Sequence, residues 1–317
     1  MASRGEWLRL ALGTLAFFVL TIFALGFYGW GVVPMWGLLP LSLAALLWAA
    51  GPTRWWERTL MGLLVLLGVT FVVPSSFVPF ESTVGAYAVA VATAFASLAL
   101  VAPSGVLRQS VRAVLWGVAG TGALGMLARG RFFWAELSWS TVQETTMRVS
   151  FMVERRPELA TYAPGIVRFL AQALPAFLLL LTLAALLLAW QWHVRIVQRP
   201  LGPPLGPFSE FRFGDQWVWG LSLAFVVWAV PKLAALKWIA VNIGIVLGVF
   251  YVVRGAAVVV AIATAVGLPG WLLTIGAVVA GLLFVPLFVF VPGLWTLGVF
   301  DTWLAFRQRR FTRSPAP

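Results

Sequence analysis

The sequence predicts an all-α fold, a polytopic transmembrane helical bundle of eight to nine spans with one amphipathic interfacial helix. Three observations carry this. Hydrophobic residues make up 62% of the 317 residues and charged residues 10%, against roughly 45–50% and about 25% in a soluble domain. Mean hydropathy is +0.97. The apolar residues fall in long runs separated by short polar breaks, and a bilayer crossing needs about 20 of them to traverse roughly 30 Å of hydrocarbon.

The first run, about 8–27, is too long for a signal-peptide core and is followed by no clear small-residue cleavage site, so it reads as a retained helix. Further spans are expected at 33–50, 58–73, 83–102, 109–127, 167–192, 216–231, 238–264 and 269–291. The third and seventh are short. Turn chemistry marks most of the breaks: Gly51 and Pro52; Pro74, Ser75 and Ser76; Pro103, Ser104 and Gly105; Gly267 to Gly270. Several tryptophans flank the runs (Trp30, Trp36, Trp55, Trp56, Trp190, Trp192, Trp217, Trp238, Trp271, Trp303). Their amphipathic rings suit headgroup depth.

Between the fifth and sixth spans lies the longest polar stretch, about 129–166. Phe132, Ala135, Trp139, Val142, Thr146, Val149 and Val153 recur there at three- and four-residue steps, the pattern of an amphipathic helix over 131–156. Its other face carries Glu136, Gln143, Glu144 and Arg148, with Glu144 and Arg148 spaced for an i,i+4 pair. Pro157 ends it. Such a helix lies on the bilayer, packs over the bundle, or acts as a lid or docking element. The chain thus divides into an N-terminal bundle half (1–128), the amphipathic segment (129–166) and a C-terminal half (167–317).

The net charge is +12, but the cations are scattered among segment ends rather than gathered on one face. Anionic lipid headgroups, not nucleic acid, are the expected partner, in a multi-pass protein of the cell inner membrane. Orientation is not settled by charge. Placing the N-terminus inside favours the first loops, yet nine crossings would then export Arg307, Arg309, Arg310 and Arg313, against the positive-inside tendency. A miscounted span is expected near the seventh, or near Pro286 and Pro292.

Small residues at four-residue intervals mark helix faces that approach closely. One row is Ala86, Ala90 and Ala94, with Ala88, Ala92 and Ala96 beside it; a second is Gly117, Thr121 and Gly125; a third is Gly244 and Gly248, extended by Tyr251 and Gly255. These faces serve packing within the chain or docking of a partner's transmembrane helix. Arg254 sits within the apolar run 241–266, where an arginine costs about 2.5–3.5 kcal/mol on insertion scales and so requires a partner. Asp301, Glu81, Glu136 and Glu144 are the candidate counter-ions. Arg254 belongs to a structural ion pair, snorkels to the interface, or binds an anionic solute in a midplane pocket with Asn242 and Tyr251.

No enzyme is expected. The chain has no cysteine and one histidine, so neither a thiolate nor a paired-histidine metal site can form. His193 falls at a membrane exit, where an interfacial role is expected. Neither a Walker-type phosphate loop nor a G-x-S-x-G elbow occurs. No cofactor is implied, and ATP-driven transport would need a separate motor subunit.

The C-terminal third carries a resemblance. Pro207-Phe208-Ser209-Glu210-Phe211-Arg212 leads into a helix beginning Trp217-Val218-Trp219; Asn242 starts the next span, which holds Gly255-Ala256-Ala257-Val258; and the end reads Gly298-Val299-Phe300-Asp301-Thr302-Trp303-Leu304-Ala305-Phe306-Arg307. These segments resemble the YybS-like family of bacterial membrane proteins, whose function is uncharacterised. Arg254 stands where that family usually has glutamine, and Gly214 where proline is common. The N-terminal half resembles it only in helix pattern and in Pro34 and Pro40. The family is distantly similar to the substrate-binding subunits of energy-coupling-factor vitamin transporters and to MreD-like membrane scaffolds. In physical terms Gly298 permits close packing, Asp301 can pair with an arginine, and Trp303 with Arg307 anchors the membrane exit. The expected function is a non-enzymatic solute-binding or transport-associated subunit; the alternative is a scaffold that recruits partner membrane proteins.

Overall fold

The computed structural model describes residues 4–25, 33–73, 79–101, 105–269 and 287–304, with the single positions 272 and 276. Trp30, the Pro74 to Ser76 and Pro103–Ser104 breaks, Trp271, Pro286, most of the expected ninth span, and Arg307 to Arg313 lie outside them. The described residues form helices and short connections, with no strand among them. The helices are α1 (Arg4–Leu25), α2 (Pro34–Ala50), α3 (Trp55–Val72), α4 (Pro79–Val101), α5 (Val106–Arg129), α6 (Phe133–Arg155), α7 (Ala163–Ile196), α8 (Trp217–Ala229), α9 (Lys237–Ala265) and α10 (Leu287–Leu304).

Five helical stretches among the described residues are long and apolar enough to cross a membrane: 55–72, 80–101, the 106–155 stretch that holds α5 and α6, 163–196, and 231–265. The apolar helices α2 and α8 are shorter. At 13 residues, α8 is about 20 Å long, well short of roughly 30 Å of hydrocarbon.

Local chemistry sets the helix ends. Pro34 opens α2, where its missing N–H is no loss. Gly51 closes α2 at φ 72, in the left-handed region that favours glycine, and its N–H bonds the Trp48 carbonyl at 3.1 Å. Glu57 is buried because its Oε2 accepts the backbone N–H groups of Thr53 and Arg54 at 2.9 and 3.2 Å, tying down the start of α3.

The described residues form two compact units, one within 13–205, the other within 206–304 together with 4–12. The divisions expected at 128 and 166 fall inside the first unit, because α7 packs on α2, α5 and α6 and draws the amphipathic segment into one body with the helices before it.

In the first unit α2, α4 and α7 form the core, with Leu38, Leu46, Phe95 and Leu186 fully buried. Gly37 and Gly68 let α2 and α3 touch backbone to backbone: a Cβ on Gly37 would lie 2.7 Å from the Gly68 carbonyl oxygen. The 197–205 loop folds back on α7, where Trp190 Nε1 donates to the Pro203 carbonyl at 3.0 Å and the Leu201 N–H donates to His193 Nε2 at 3.3 Å. His193 is fully buried in the last turn of α7. It helps fasten a loop.

The second unit is built on α9, which packs against α8 on one side and α10 on another. A Cβ at Gly255 would collide with the Leu294 carbonyl, and one at Gly298 with the Tyr251 carbonyl. Only glycines permit this crossing of α9 and α10.

Candidate functional site

Arg254 lies near the middle of α9, 4% exposed. Its Nε donates to Asp301 Oδ2 on α10 at 3.0 Å, and its Nη1 donates to Asp215 Oδ1 at 2.6 Å and to the Phe213 carbonyl at 3.0 Å. Asp301 is 3% exposed and Asp215 66%. The segment before α8 reaches this point because Phe213 stacks on Phe250 at 5.2 Å and meets Tyr251 edge-on at 5.3 Å. Two carboxylates and a carbonyl thus hold the Nε and Nη1 of one guanidinium, and the three stretches that carried the sequence resemblance meet there.

That arrangement does not form the pocket expected from Asn242, Tyr251 and Arg254. Tyr251 is fully buried beside Arg254. Asn242, however, stands twelve residues earlier on α9, about 18 Å along the axis, and its side-chain amide donates to the Trp238 carbonyl at 2.8 Å. With its Nε and Nη1 held by Asp301, Asp215 and the Phe213 carbonyl and with Asn242 remote, Arg254 clamps these segments together. Trp303 is 58% exposed, and Arg307 lies outside the described residues.

The small-residue rows are also resolved. On α4, Ala88, Ala92 and Ala96 are buried, whereas Ala86 is exposed and Ala90 and Ala94 are half-buried. Gly117 seats against Val91, and Gly125 against the Phe133 ring. Gly244 and Gly248 have looser surroundings, with nearest approaches of 4.0 Å to Ala224 and 3.9 Å to Trp295. The tight glycines of α9 and α10 are Gly255 and Gly298.

A second feature was not foreseen. Helices α4, α5, α6 and α7 enclose a cleft of about 1220 Å³ within the first unit. Its walls are mostly apolar, and α6 forms one whole side. The face that α6 packs into the bundle carries Phe133, Ser140, Thr141, Thr145 and Val149, while Phe132 and Trp139 are exposed. Part of the apolar stripe read from the sequence (Val142, Thr146, Val149, Val153) lines the cleft. The packed hydroxyls are satisfied within α6: Thr141 donates to the Leu137 carbonyl at 2.7 Å and Thr145 to the Thr141 carbonyl at 2.8 Å. The expected Glu144–Arg148 ion pair does not form; Arg129 pairs with Glu136 at 3.4 Å.

Across the cleft, α7 contributes Ala163, Pro164, Ala171 and Pro175. Their small or ring-closed side chains leave the space that α6 does not fill. Pro175 lies inside the helix and has no N–H for the Ala171 carbonyl, so a backbone acceptor loses its usual partner on the cleft wall. Thr121, 7% exposed, also lines the cleft, and its Oγ1 has no hydrogen-bond partner among the described residues. Tyr87 meets Thr182 hydroxyl to hydroxyl at 3.1 Å. The run of small residues and Pro175 on α7 was the one sequence signal that could have pointed here.

No curated protein and no solved structure matches the chain. A family model described as a predicted membrane protein (DUF2232) matches residues 87–302, which takes in α5 to α9, most of α4, and all but the last two residues of α10. The chain belongs to this DUF2232 family of predicted membrane proteins.

Proposed function

We propose that the protein is a non-enzymatic, multi-pass component of the bacterial inner membrane that binds a membrane-partitioned solute in the α4–α7 cleft, as a solute-binding or transport-associated subunit. One observation carries this reading: the cleft is large, its surface is mostly apolar, and its polar groups include the unpartnered buried Thr121 hydroxyl. Ligand sites have this composition, with volumes of roughly 300–1,000 Å³ for drug-sized molecules. A buried hydroxyl without a partner forfeits about 1–3 kcal/mol, which a ligand's acceptor or donor would recover. The resemblance to YybS-like proteins, and through them to substrate-binding subunits of vitamin transporters, supports the same reading. Arg254 takes no part in the site.

Mass spectrometry of material co-purified with the wild-type chain and with Ala171→Trp tests it. A small molecule retained by the wild type and lost from the folded variant is the expected result; equal retention by both would remove the cleft from the function. A scaffold role is the second reading, favoured by the exposed Ala86, Thr93 and Ser97 beside half-buried Ala90 on α4. Photo-crosslinking from position 90 in membranes would capture a distinct membrane protein under that reading, and lipid or nothing under the first.

A further inference from the structure

The cleft has a direction. Helices α6 and α7 run antiparallel across the 156–162 turn, so the ends nearest that turn, Glu154 on α6 and Arg168 on α7, both border the cleft at one mouth. Toward the other end of the two helices the lining is apolar, with Phe133, Leu178 and Leu179. Lining positions on α6 run from Phe133 to Glu154, about 30 Å of helix axis, which equals the hydrocarbon thickness of a bilayer leaflet pair. A lining of that length accommodates an extended hydrocarbon chain.

At the mouth, Glu154 and Arg168 have no ion-pair or hydrogen-bond partner among the described residues, and they do not pair with each other. An unpaired carboxylate and an unpaired guanidinium therefore face one opening. A head group carrying only an anion would leave Glu154 opposing it, and one carrying only a cation would leave Arg168 opposing it. A head group with both charges satisfies the two at once: phosphate accepts from the planar guanidinium fork, and a primary ammonium donates to the carboxylate.

Resting on the cleft as the ligand site, we infer that its occupant is a zwitterionic amphiphile with a phosphate and a primary ammonium in its head and aliphatic chains along α6 and α7. Phosphatidylethanolamine is the simplest molecule of this class. Arg168 reads the phosphate and Glu154 the ammonium. Chain contacts with the cleft supply most of the affinity, and the two charges supply the selection.

Native mass spectrometry of the full chain in an uncharged detergent tests this with phosphatidylethanolamine, phosphatidylglycerol and phosphatidylcholine of identical chains. Phosphatidylethanolamine should be retained about threefold or more over each of the others, the scale of partly exposed ion pairs. Glu154→Gln should remove its advantage over phosphatidylglycerol, and Arg168→Gln should weaken binding of all three phosphates. Ala171→Trp should abolish retention of every lipid. Equal retention of the three lipids by the wild type, or no change in preference with Glu154→Gln, would overturn the head-group assignment while loss of binding with Ala171→Trp still upheld the cleft. Lipid retention unchanged by Ala171→Trp would overturn both.

Discussion

At the scale of single residues, the decisive group is Arg254, whose charge is tolerable inside an apolar helix only because Asp301 and Asp215 hold it. The two carboxylates are not equivalent. Asp301 is buried with it, so Arg254→Leu would strand an uncompensated buried charge, and loss of one partner of such a pair costs about 3–5 kcal/mol. Asp215 is mostly exposed, so Asp215→Asn should cost no more than about 1 kcal/mol. Thermal unfolding of the purified protein in detergent should show a large fall for the first and a small one for the second; equal falls would mean that the clamp is not organised by burial. Glycines give a parallel contrast. Gly298→Ala drives a methyl into the Tyr251 carbonyl and should destabilise by about 1–3 kcal/mol or more, as overpacking does. Gly248→Ala meets only ordinary contacts and should be neutral or gain up to about 1 kcal/mol from helix propensity.

At the scale of elements, α6 has the period of an amphipathic helix but not the orientation that period first suggests. Its hydroxyl-bearing face packs inward because Ser140, Thr141 and Thr145 bond their own helix's carbonyls and need nothing from neighbours. Large apolar side chains such as Trp139 and Phe151 are left exposed, which suits acyl chains. The cysteine-free sequence allows spin labels to be placed one at a time without background. A label at position 139 should be accessible to oxygen and shielded from a water-soluble nickel chelate, and one at 145 should be shielded from both. High nickel accessibility at 139 would place that face in water instead.

At the scale of the whole molecule, the property that matters is a cleft that only the packing of four helices creates. A ligand that binds the folded state raises its stability by mass action, about 2.7 kcal/mol at a hundredfold excess over the dissociation constant. Phosphatidylethanolamine should therefore raise the unfolding temperature of the wild-type chain and leave that of Ala171→Trp unmoved. An equal rise in both would mean that lipid acts on the outer surface alone.

Much of this was legible in the residues. The apolar runs, the turn residues at the breaks and the three- and four-residue steps of α6 are local signals, and helix formation in a bilayer is decided locally because each backbone N–H finds its acceptor within the same segment. The need for a partner at Arg254 was equally plain, since the cost of an isolated charge in hydrocarbon does not depend on the fold. Which partner answered, which glycines touched, where the units divide and where a space was left open depended on how helices distant in sequence cross. Asp215 and Asp301 meet Arg254 across about forty residues on either side, and Ala171 faces α6 only after a turn reverses the chain. Charge and hydropathy fixed the solvent and the helices; complementarity of packed surfaces, which no local window contains, decided the clamp and the cleft.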